Sequence, residues 1–165
     1  MKIVTKLLLA GLIFLLGFLS NNIYADIITH SQSEQPLNDG RTDEKPSPND
    51  WIKENQILVY SNQVIFDIKN AEWSKFTDTH SMEPVISSRA NAIQIKPKSP
   101  DDIIVGDIIS YESEYTDGII IHRVIEKNID EKGVYFIAKG DNNPQPDPGK
   151  IRFNQIKRVL VAIVY

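Results

Sequence analysis

"GIIIHRVIEK", residues 118–127, is apolar on both faces of an extended chain and rich in β-branched residues. "DIIVGDIISY", residues 102–111, has the same character. Short apolar runs bounded by turn residues are typical of buried strands. Both stretches are therefore predicted to form strands.

Further β-type runs lie on both sides of this pair. They occupy residues 56–68, 92–97, 133–140 and 157–165. The first of them is predicted to form two strands around Ser61-Asn62. No convincing amphipathic helix longer than a turn or two separates the runs. The pattern predicts a mostly β protein, with one compact antiparallel β domain over residues 51–165.

Length, charge and cysteine content narrow the classes of function. A chain of 165 residues accommodates one domain of about 100–150 residues with some additional sequence. The formal net charge of -4 provides no basic surface for phosphate contacts, so nucleic acid is not expected as a partner. The chain has no cysteine, which excludes thiol nucleophiles, disulfides and thiolate metal sites.

Residues 1–25 have the pattern of a membrane-targeting segment. Lys2 and Lys6 precede an unbroken apolar run from Leu7 to Leu19. One interpretation is a cleaved signal peptide ending at Ala25; the other is a retained anchor that reaches the roughly 20 residues a bilayer span requires. In both, the lysines stay on the cytoplasmic side and the remaining chain lies outside.

Residues 26–50 differ sharply in composition from the β-type runs of residues 51–165. They combine prolines with acidic residues, serine and asparagine, and almost nothing apolar comes after Ile28. This composition predicts a polar, disordered linker. His30 lies within it and is interpreted as an exposed linker residue.

Ser81, in "THSMEP" (residues 79–84), is a candidate nucleophile if a general base is available to it. His80 is badly placed for that role, because neighbouring side chains in an extended chain point to opposite sides. His122 shares a strand face with Ile120 and Val124, where its ring would be held in apolar surroundings. His122 is also compatible with a hydrogen-bonded core histidine.

Two acids in "KGDNNPQPDPGK", residues 139–150, are candidates for orienting that imidazole. Asp141 follows Gly140, and Asp147 lies between two prolines. Each is equally compatible with ordinary turn chemistry, since Gly, Asn, Asp and Pro are the usual residues of loops. Residue types alone leave the choice between them open.

The local contexts of these residues, taken together, resemble the successive sequence motifs of type I signal peptidases. The four motifs are "SMEP" (81–84), "VGDII" (105–109), "IHRV" (121–124) and "KGDNN" (139–143). The similarity runs from about residue 77 to 165. It is strongest to the archaeal and endoplasmic-reticulum branch, in which a histidine stands where the usual bacterial enzymes have a lysine base.

The resemblance implies a membrane-anchored serine endopeptidase that cleaves signal peptides from exported preproteins. It implies Ser81 as nucleophile, its backbone N–H as an oxyanion donor and His122 as general base, with no metal or other cofactor. Asp147 falls at the spacing of the family's triad acid, whereas Asp141 belongs to the Gly-Asp-Asn turn and is the alternative acid. We expect Asp141 to brace that turn by accepting local backbone N–H groups.

The resemblance also implies a fold and a location. The expected fold is a compact antiparallel β domain of the signal-peptidase type behind one N-terminal membrane helix. The expected location is the cell membrane, crossed once, with the catalytic domain on the extracytoplasmic face. Expected partners are signal peptides, the lipid bilayer and the export machinery.

One departure from the family and two rival interpretations stand beside this prediction. The residue before the nucleophile is commonly small in the family, whereas here it is His80. A Ser–Lys peptidase of related fold is one rival, although position 122 is histidine. A membrane-tethered β-rich binding module without catalysis is the other, and it would have no reason to bring Ser81, His122 and Asp147 together.

Overall fold

The computed structural model of the protein describes residues 44–165. The predicted membrane segment (1–25), His30 and most of the predicted linker lie outside these residues. No helix within residues 44–165 has the length and apolar character needed to cross a membrane.

Antiparallel strands form nearly all of the regular structure in this part of the chain, as the β-type runs predict. The strands are β1 (Ile57–Val59), β2 (Val64–Phe66), β3 (Glu72–Lys75), β4 (Asn91–Ile95), β5 (Ile108–Glu112), β6 (Ile119–Asp130), β7 (Gly133–Lys139), β8 (Ile151–Arg152) and β9 (Ile156–Val164). Three short 3-10 segments, Glu54–Gln56, Pro100–Asp102 and Phe153–Gln155, are the only helices between residues 44 and 165. The fold class is therefore mostly β.

The strands form two sheets. β1 and β2 pair only with each other, whereas the remaining seven strands form one sheet in the order β3-β4-β9-β5-β6-β7-β8. Every pair of neighbours in both sheets is antiparallel. β6 lies near the middle of the larger sheet and β3 lies at one edge.

The larger sheet carries two clusters of buried apolar side chains. One is built around Tyr111, Val124 and Phe136, and the other around Met82, Ile86 and Leu160. Fully burying an aliphatic or aromatic side chain of this size contributes about 1.5–3 kcal/mol relative to leaving it exposed. The second cluster anchors the turn that begins at Ser81.

One predicted strand is shorter than its apolar run. Residues 102–106 end a 3-10 segment and form a turn, and β5 begins only at Ile108. The cause is Asp107, a wholly buried side chain whose Oδ2 accepts the backbone N–H of Ile104 at 2.8 Å. This bond closes the chain into a turn. A second bond, from the Asp107 backbone N–H to the Ile104 carbonyl (3.2 Å), closes the same turn. Periodicity alone predicts a strand there.

Residues 46–51, most of which the composition assigns to the linker, contact the domain at this same turn. Asp107 Oδ1 accepts the backbone N–H of Asn49 at 2.9 Å and the indole N–H of Trp51 at 2.8 Å. Gly106 has φ +108°, and a Cβ there would lie only 2.1 Å from the Ser47 carbonyl oxygen. Close approach of the two backbones therefore requires glycine at this position.

Candidate active site

His122 lies on β6 opposite Ile109 of β5, and only 8% of it is exposed. Its neighbours two residues away on the strand, Ile120 and Val124, pack in the first apolar cluster, as the strand period predicts. Its Nδ1 lies 2.6 Å from Oδ2 of Asp147. Of the two candidate acids, Asp147 is therefore the one in contact with the imidazole.

Asp147 is held by two further contacts. Its Oδ2 also accepts the Tyr111 hydroxyl at 2.7 Å, and its backbone N–H donates to the Ala138 carbonyl at 2.8 Å. Burial, and then the hydrogen bond to Asp147, raises the pKa of Tyr111 above its ordinary value, so the phenol remains a donor. An ionised carboxylate can only accept, so neutral His122 carries its proton on Nδ1. Its Nε2 is then left with a free lone pair.

Ser81 opens a turn that spans residues 81–85 and is partly buried. Its Oγ shares a hydrogen bond of 3.1 Å with the Thr79 hydroxyl. Ser81 and His122 line one cavity of about 760 Å³, without a hydrogen bond between them. The backbone N–H of Ser81 makes no hydrogen bond with any of residues 44–165, which leaves it available as an oxyanion donor.

The loop after β7 holds the backbone of Ser81 and His80 through hydrogen bonds. The Asn142 backbone N–H donates to the Ser81 carbonyl at 2.8 Å, and the Asn142 side chain donates to the His80 carbonyl at 3.1 Å. A Cβ on Gly140 would lie 2.7 Å from the Ser81 carbonyl oxygen, so only glycine permits this approach. The Gly140-Asp141-Asn142 turn thus fixes the position of the nucleophile candidate.

Asp141 makes a different contact from the one expected. Its two carboxylate oxygens accept Nε and Nη2 of Arg123 at 2.8 and 2.7 Å, in place of local backbone N–H groups. Both side chains are almost fully buried, with 6% of Arg123 and 2% of Asp141 exposed. Arg123 Nη1 also donates to the carbonyls of Gly106 and Pro46. Asp141 therefore ties the turn to β6 through a buried ion pair.

His80 has left-handed backbone geometry, with φ +59°. Histidine is, with asparagine and aspartate, among the non-glycine residues that adopt this conformation most often, so the backbone accommodates His80 at this position. The exposed imidazole hydrogen-bonds Glu83 at 3.0 Å and lies 3.7 Å from Asp78. The hydrogen bond to Glu83 raises the pKa of His80, with smaller contributions from the charges of Glu83 and Asp78.

The ligand atoms of Asp78, His80 and Glu83 lie within 4.8 Å of one another. Asp78 and His80 are exposed, Glu83 is half-buried, and His80 contacts both acids. The three side chains take no part in the contacts of Ser81 with Thr79 or with the residue 140–142 turn. The predicted chemistry needs no metal at this position.

The lining of the cavity contains both apolar and polar side chains. Phe76, Met82, Ile86 and Ile121 line it and belong to the second apolar cluster. Gln94, Ser74 and Ser110 also line it, and Gln94 bonds the hydroxyls of both serines, each at 2.8 Å. The cavity therefore offers apolar contacts and a fixed set of polar groups to a bound chain.

Three further residues contact the candidate site, and the sequence analysis assigned no role to any of them. Thr79 contacts the Ser81 hydroxyl, Tyr111 contacts Asp147, and Arg123 holds Asp141. Tyr111 lies on β5 and Arg123 on β6, where both fit a simple strand pattern. The course of the loop after β7 brings the two acids to them.

Comparison with known proteins yields a short match. No family model matches the chain, and no solved structure matches it. A segment of 44 residues is 48% identical to uncharacterized protein MJ0260 of Methanocaldococcus jannaschii, covering 27% of the chain and 22% of the relative. The similarity thus spans about a fifth of the relative's length, and the relative's name states no activity.

Proposed function

We propose that the protein is a serine endopeptidase of the type I signal peptidase class, anchored in the membrane, that cleaves signal peptides from exported preproteins. The observation that carries the proposal is the 2.6 Å contact between Asp147 and His122 at a cavity that Ser81 also lines. The resemblance of the four sequence motifs supplies the substrate class.

The tautomer of His122 determines which of its ring nitrogens can take a proton from Ser81. With Nδ1–H directed at Asp147, Nε2 of His122 takes the Ser81 hydroxyl proton as Oγ attacks the scissile carbonyl. The Ser81 N–H stabilises the oxyanion, and the protonated imidazole then donates its proton to the leaving amine. Water, activated by the same imidazole, hydrolyses the acyl-enzyme. Asp147 stabilises the imidazolium in both steps, and apart from substrate and water the proposed reaction uses only groups of the protein.

Substrate binding is proposed along the edge of the larger sheet. β3 is an edge strand, and Glu72, Ser74 and Lys75 of β3 line the cavity. An extended peptide beside such an edge gains main-chain hydrogen bonds, while pockets select alternate side chains. Small residues at the cleavage site, Ala above all, are what the family resemblance implies for the apolar pocket.

Residues 1–25 are proposed to remain attached as a single-pass anchor with the domain on the extracytoplasmic face. Enzyme and substrate would then be confined to one membrane, where local concentration replaces part of the intrinsic affinity. The export machinery is a further partner in this proposal. Mass spectrometry of the membrane-extracted protein should find residues 1–25 present, whereas a mature chain beginning at Asp26 would show a cleaved leader.

Cleavage of a model preprotein in reconstituted membranes tests the activity. Ser81→Ala and His122→Ala should each lower cleavage by about 10⁴–10⁶-fold with the fold intact, because members of a triad act as a unit. Ser113→Ala, at a serine in the loop after β5 and outside the cavity lining, is the matched control and should cleave normally. Normal cleavage by folded Ser81→Ala would favour the binding-module interpretation.

A further inference from the structure

Three polar side chains of the cavity lining form one hydrogen-bonded row. The Gln94 carboxamide of β4 donates an N–H to the Ser74 hydroxyl of β3, and its carbonyl oxygen accepts the Ser110 hydroxyl of β5. Gln94 and Ser110 are buried, and all three residues line the cavity that Ser81 and His122 also line. Ser74, Gln94 and Ser110 are called the polar row below.

Strand pairing places the polar row on one face of the larger sheet. Ser110 pairs with Arg158 of β9, and Gln94 pairs with Leu160, two residues further along the same strand. Directly opposed residues of an antiparallel pair share a face, and so do alternate residues of one strand. Ser110 and Gln94 therefore lie on one face, and the Ser74 hydroxyl reaches the same carboxamide. This face borders the cavity, since Arg158 lines it as well.

The polar row has hydrogen-bonding capacity that its two internal bonds do not use. A carboxamide has two N–H donors and an oxygen with two lone pairs, and a hydroxyl both donates and accepts. Gln94 thus retains one N–H, the Ser74 hydroxyl retains its proton, and the Ser110 oxygen retains its lone pairs. A bound chain that displaces solvent from the cavity must satisfy these groups or leave them buried without partners, which is unfavourable.

The charges near the row favour a neutral ligand group. Two ion pairs line the cavity, Glu72 with Arg158 and Glu112 with Lys157, so these four charges already have partners. The row itself is neutral, and an unpaired charge placed against its buried groups would be costly. A hydroxyl or a carboxamide, which both donates and accepts, matches the unused donors and acceptors.

We propose that the polar row is a selectivity site that binds one neutral hydrogen-bonding side chain of the substrate, a hydroxyl or a carboxamide, close to the scissile bond. The inference rests on the proposed function and narrows its substrate class. The apolar part of the lining takes small apolar residues, and the row takes a polar residue at another position of the same chain. A site built to hydrogen-bond a substrate group strongly rejects an analogue that lacks the group, whereas an apolar pocket discriminates weakly against an added hydroxyl.

Substrate pairs of equal shape test this selectivity. Model preproteins carry Thr or Val, and Asn or Leu, at each of the six positions nearest the scissile bond in turn, and the full chain in reconstituted membranes cleaves them. At one of these positions we expect kcat/KM to be about tenfold or more higher for the polar member of a pair. The absence of a preference for the polar member at all six positions would overturn the proposal.

Substitution of the row tests whether it causes the preference. Gln94→Met with Ser110→Ala removes both partners of one bond, a change that is often nearly neutral for stability. This double variant should lose the preference, and Ser74→Ala, at a half-buried position, should lower it several-fold and serves if the double variant does not fold. Gln63→Met, at an exposed glutamine outside the cavity lining, is the matched control and should keep it. Full preference in the folded variants of the row would contradict the assignment.

Equilibrium binding separates this proposal from the enzymatic one. Full-length Ser81→Ala binds fluorescent peptides of each pair without cleaving them, so anisotropy gives the ratio of the two Kd values. Cleavage by the wild type with no preference in kcat/KM or Kd would remove this inference alone. Tighter binding of the polar member by Ser81→Ala, together with a wild type that cleaves neither peptide, would instead remove the proposed activity alone.

Discussion

The carboxylate of Asp147 lies 2.6 Å from Nδ1 of His122, and both side chains are about nine-tenths buried. Asp147 also accepts the Tyr111 hydroxyl through the same oxygen, so its position is fixed from two sides. This arrangement directs the second imidazole nitrogen away from the acid. The geometry gives the two acids of one loop separate tasks, since Asp141 binds Arg123.

Asp147→Asn should impair turnover with little effect on folding. An amide can donate to Nδ1 and so favour the tautomer that carries its proton on Nε2, which cannot take a proton from Ser81. We expect kcat to fall by about 10²–10⁴-fold. Paired thermal melts and single-turnover kinetics measure the two effects. A folded Asp147→Asn enzyme with normal kcat would show that another group orients the imidazole.

Asp141→Asn should act mainly through stability. Loss of one charge leaves Arg123 buried and uncompensated, and breaking a buried pair in this way costs about 3–5 kcal/mol. Urea unfolding measures this loss. The control is Asp141→Leu combined with Arg123→Met, which removes both charges and should recover part of the lost stability. A fully stable but inactive Asp141→Asn protein would instead assign a direct chemical role to Asp141.

The long apolar runs predicted most of the strands correctly, and pairing determined the others. β6, β7 and β9 follow from residues 118–127, 133–140 and 157–165. β3 is polar and β8 has two residues, so neither has a periodicity that a sequence reveals; each is defined by hydrogen bonds to its neighbour. Residues 102–106 are apolar enough for a strand, yet the Asp107 carboxylate draws them into a turn.

The pattern of residues predicted the strand residues of the candidate site, whereas the choice of Asp147 in its loop came only from the family resemblance. Alternate residues of a strand lie on the same face of the sheet, so the sequence places His122 on the same face as the apolar Val124. The burial of His122 could therefore be predicted. Asp141 and Asp147 lie in one Pro- and Gly-rich loop, and the conformation of that loop decides which carboxylate reaches the imidazole. Tyr111 and Thr79 join the site through distances that residue spacing does not encode.

His80 should give the protein a pH-dependent increment of stability. Its pKa is raised in the folded state, chiefly by the hydrogen bond to Glu83, so the increment is fully present below the unfolded pKa of 6.5 and is lost as pH rises through the higher folded value. His80→Asn removes the charge and keeps a residue that tolerates φ +59°. The Tm difference between wild type and this variant should be larger at about pH 5.5 than at about pH 8.5. A Glu83→Gln variant should lose the same pH dependence, whereas a difference that is constant with pH would contradict the assignment.

Asp107→Asn should detach residues 46–51 from the domain and lower its stability. The carboxylate accepts three N–H groups, from Asn49 and Trp51 through Oδ1 and from Ile104 through Oδ2, and none of the side chain is exposed. An asparagine at this position must direct its NH₂ group at one of these donors, because an amide has only one acceptor oxygen. At least one buried N–H then loses its partner, at a cost of about 1–3 kcal/mol.

Urea unfolding of Asp107→Asn, followed by Trp51 fluorescence in a Trp73→Phe background, measures both the loss of stability and the release of the indole. Trp51 should become more accessible to a soluble quencher before global unfolding when the amide nitrogen takes the place of Oδ1, because the indole N–H then has no acceptor. Asp101→Asn is the matched control: Asp101 is an exposed neighbour, and its carboxylate makes no hydrogen bond with residues 44–165. An Asp107→Asn protein as stable as Asp101→Asn would show that the buried carboxylate does not hold residues 46–51 in place.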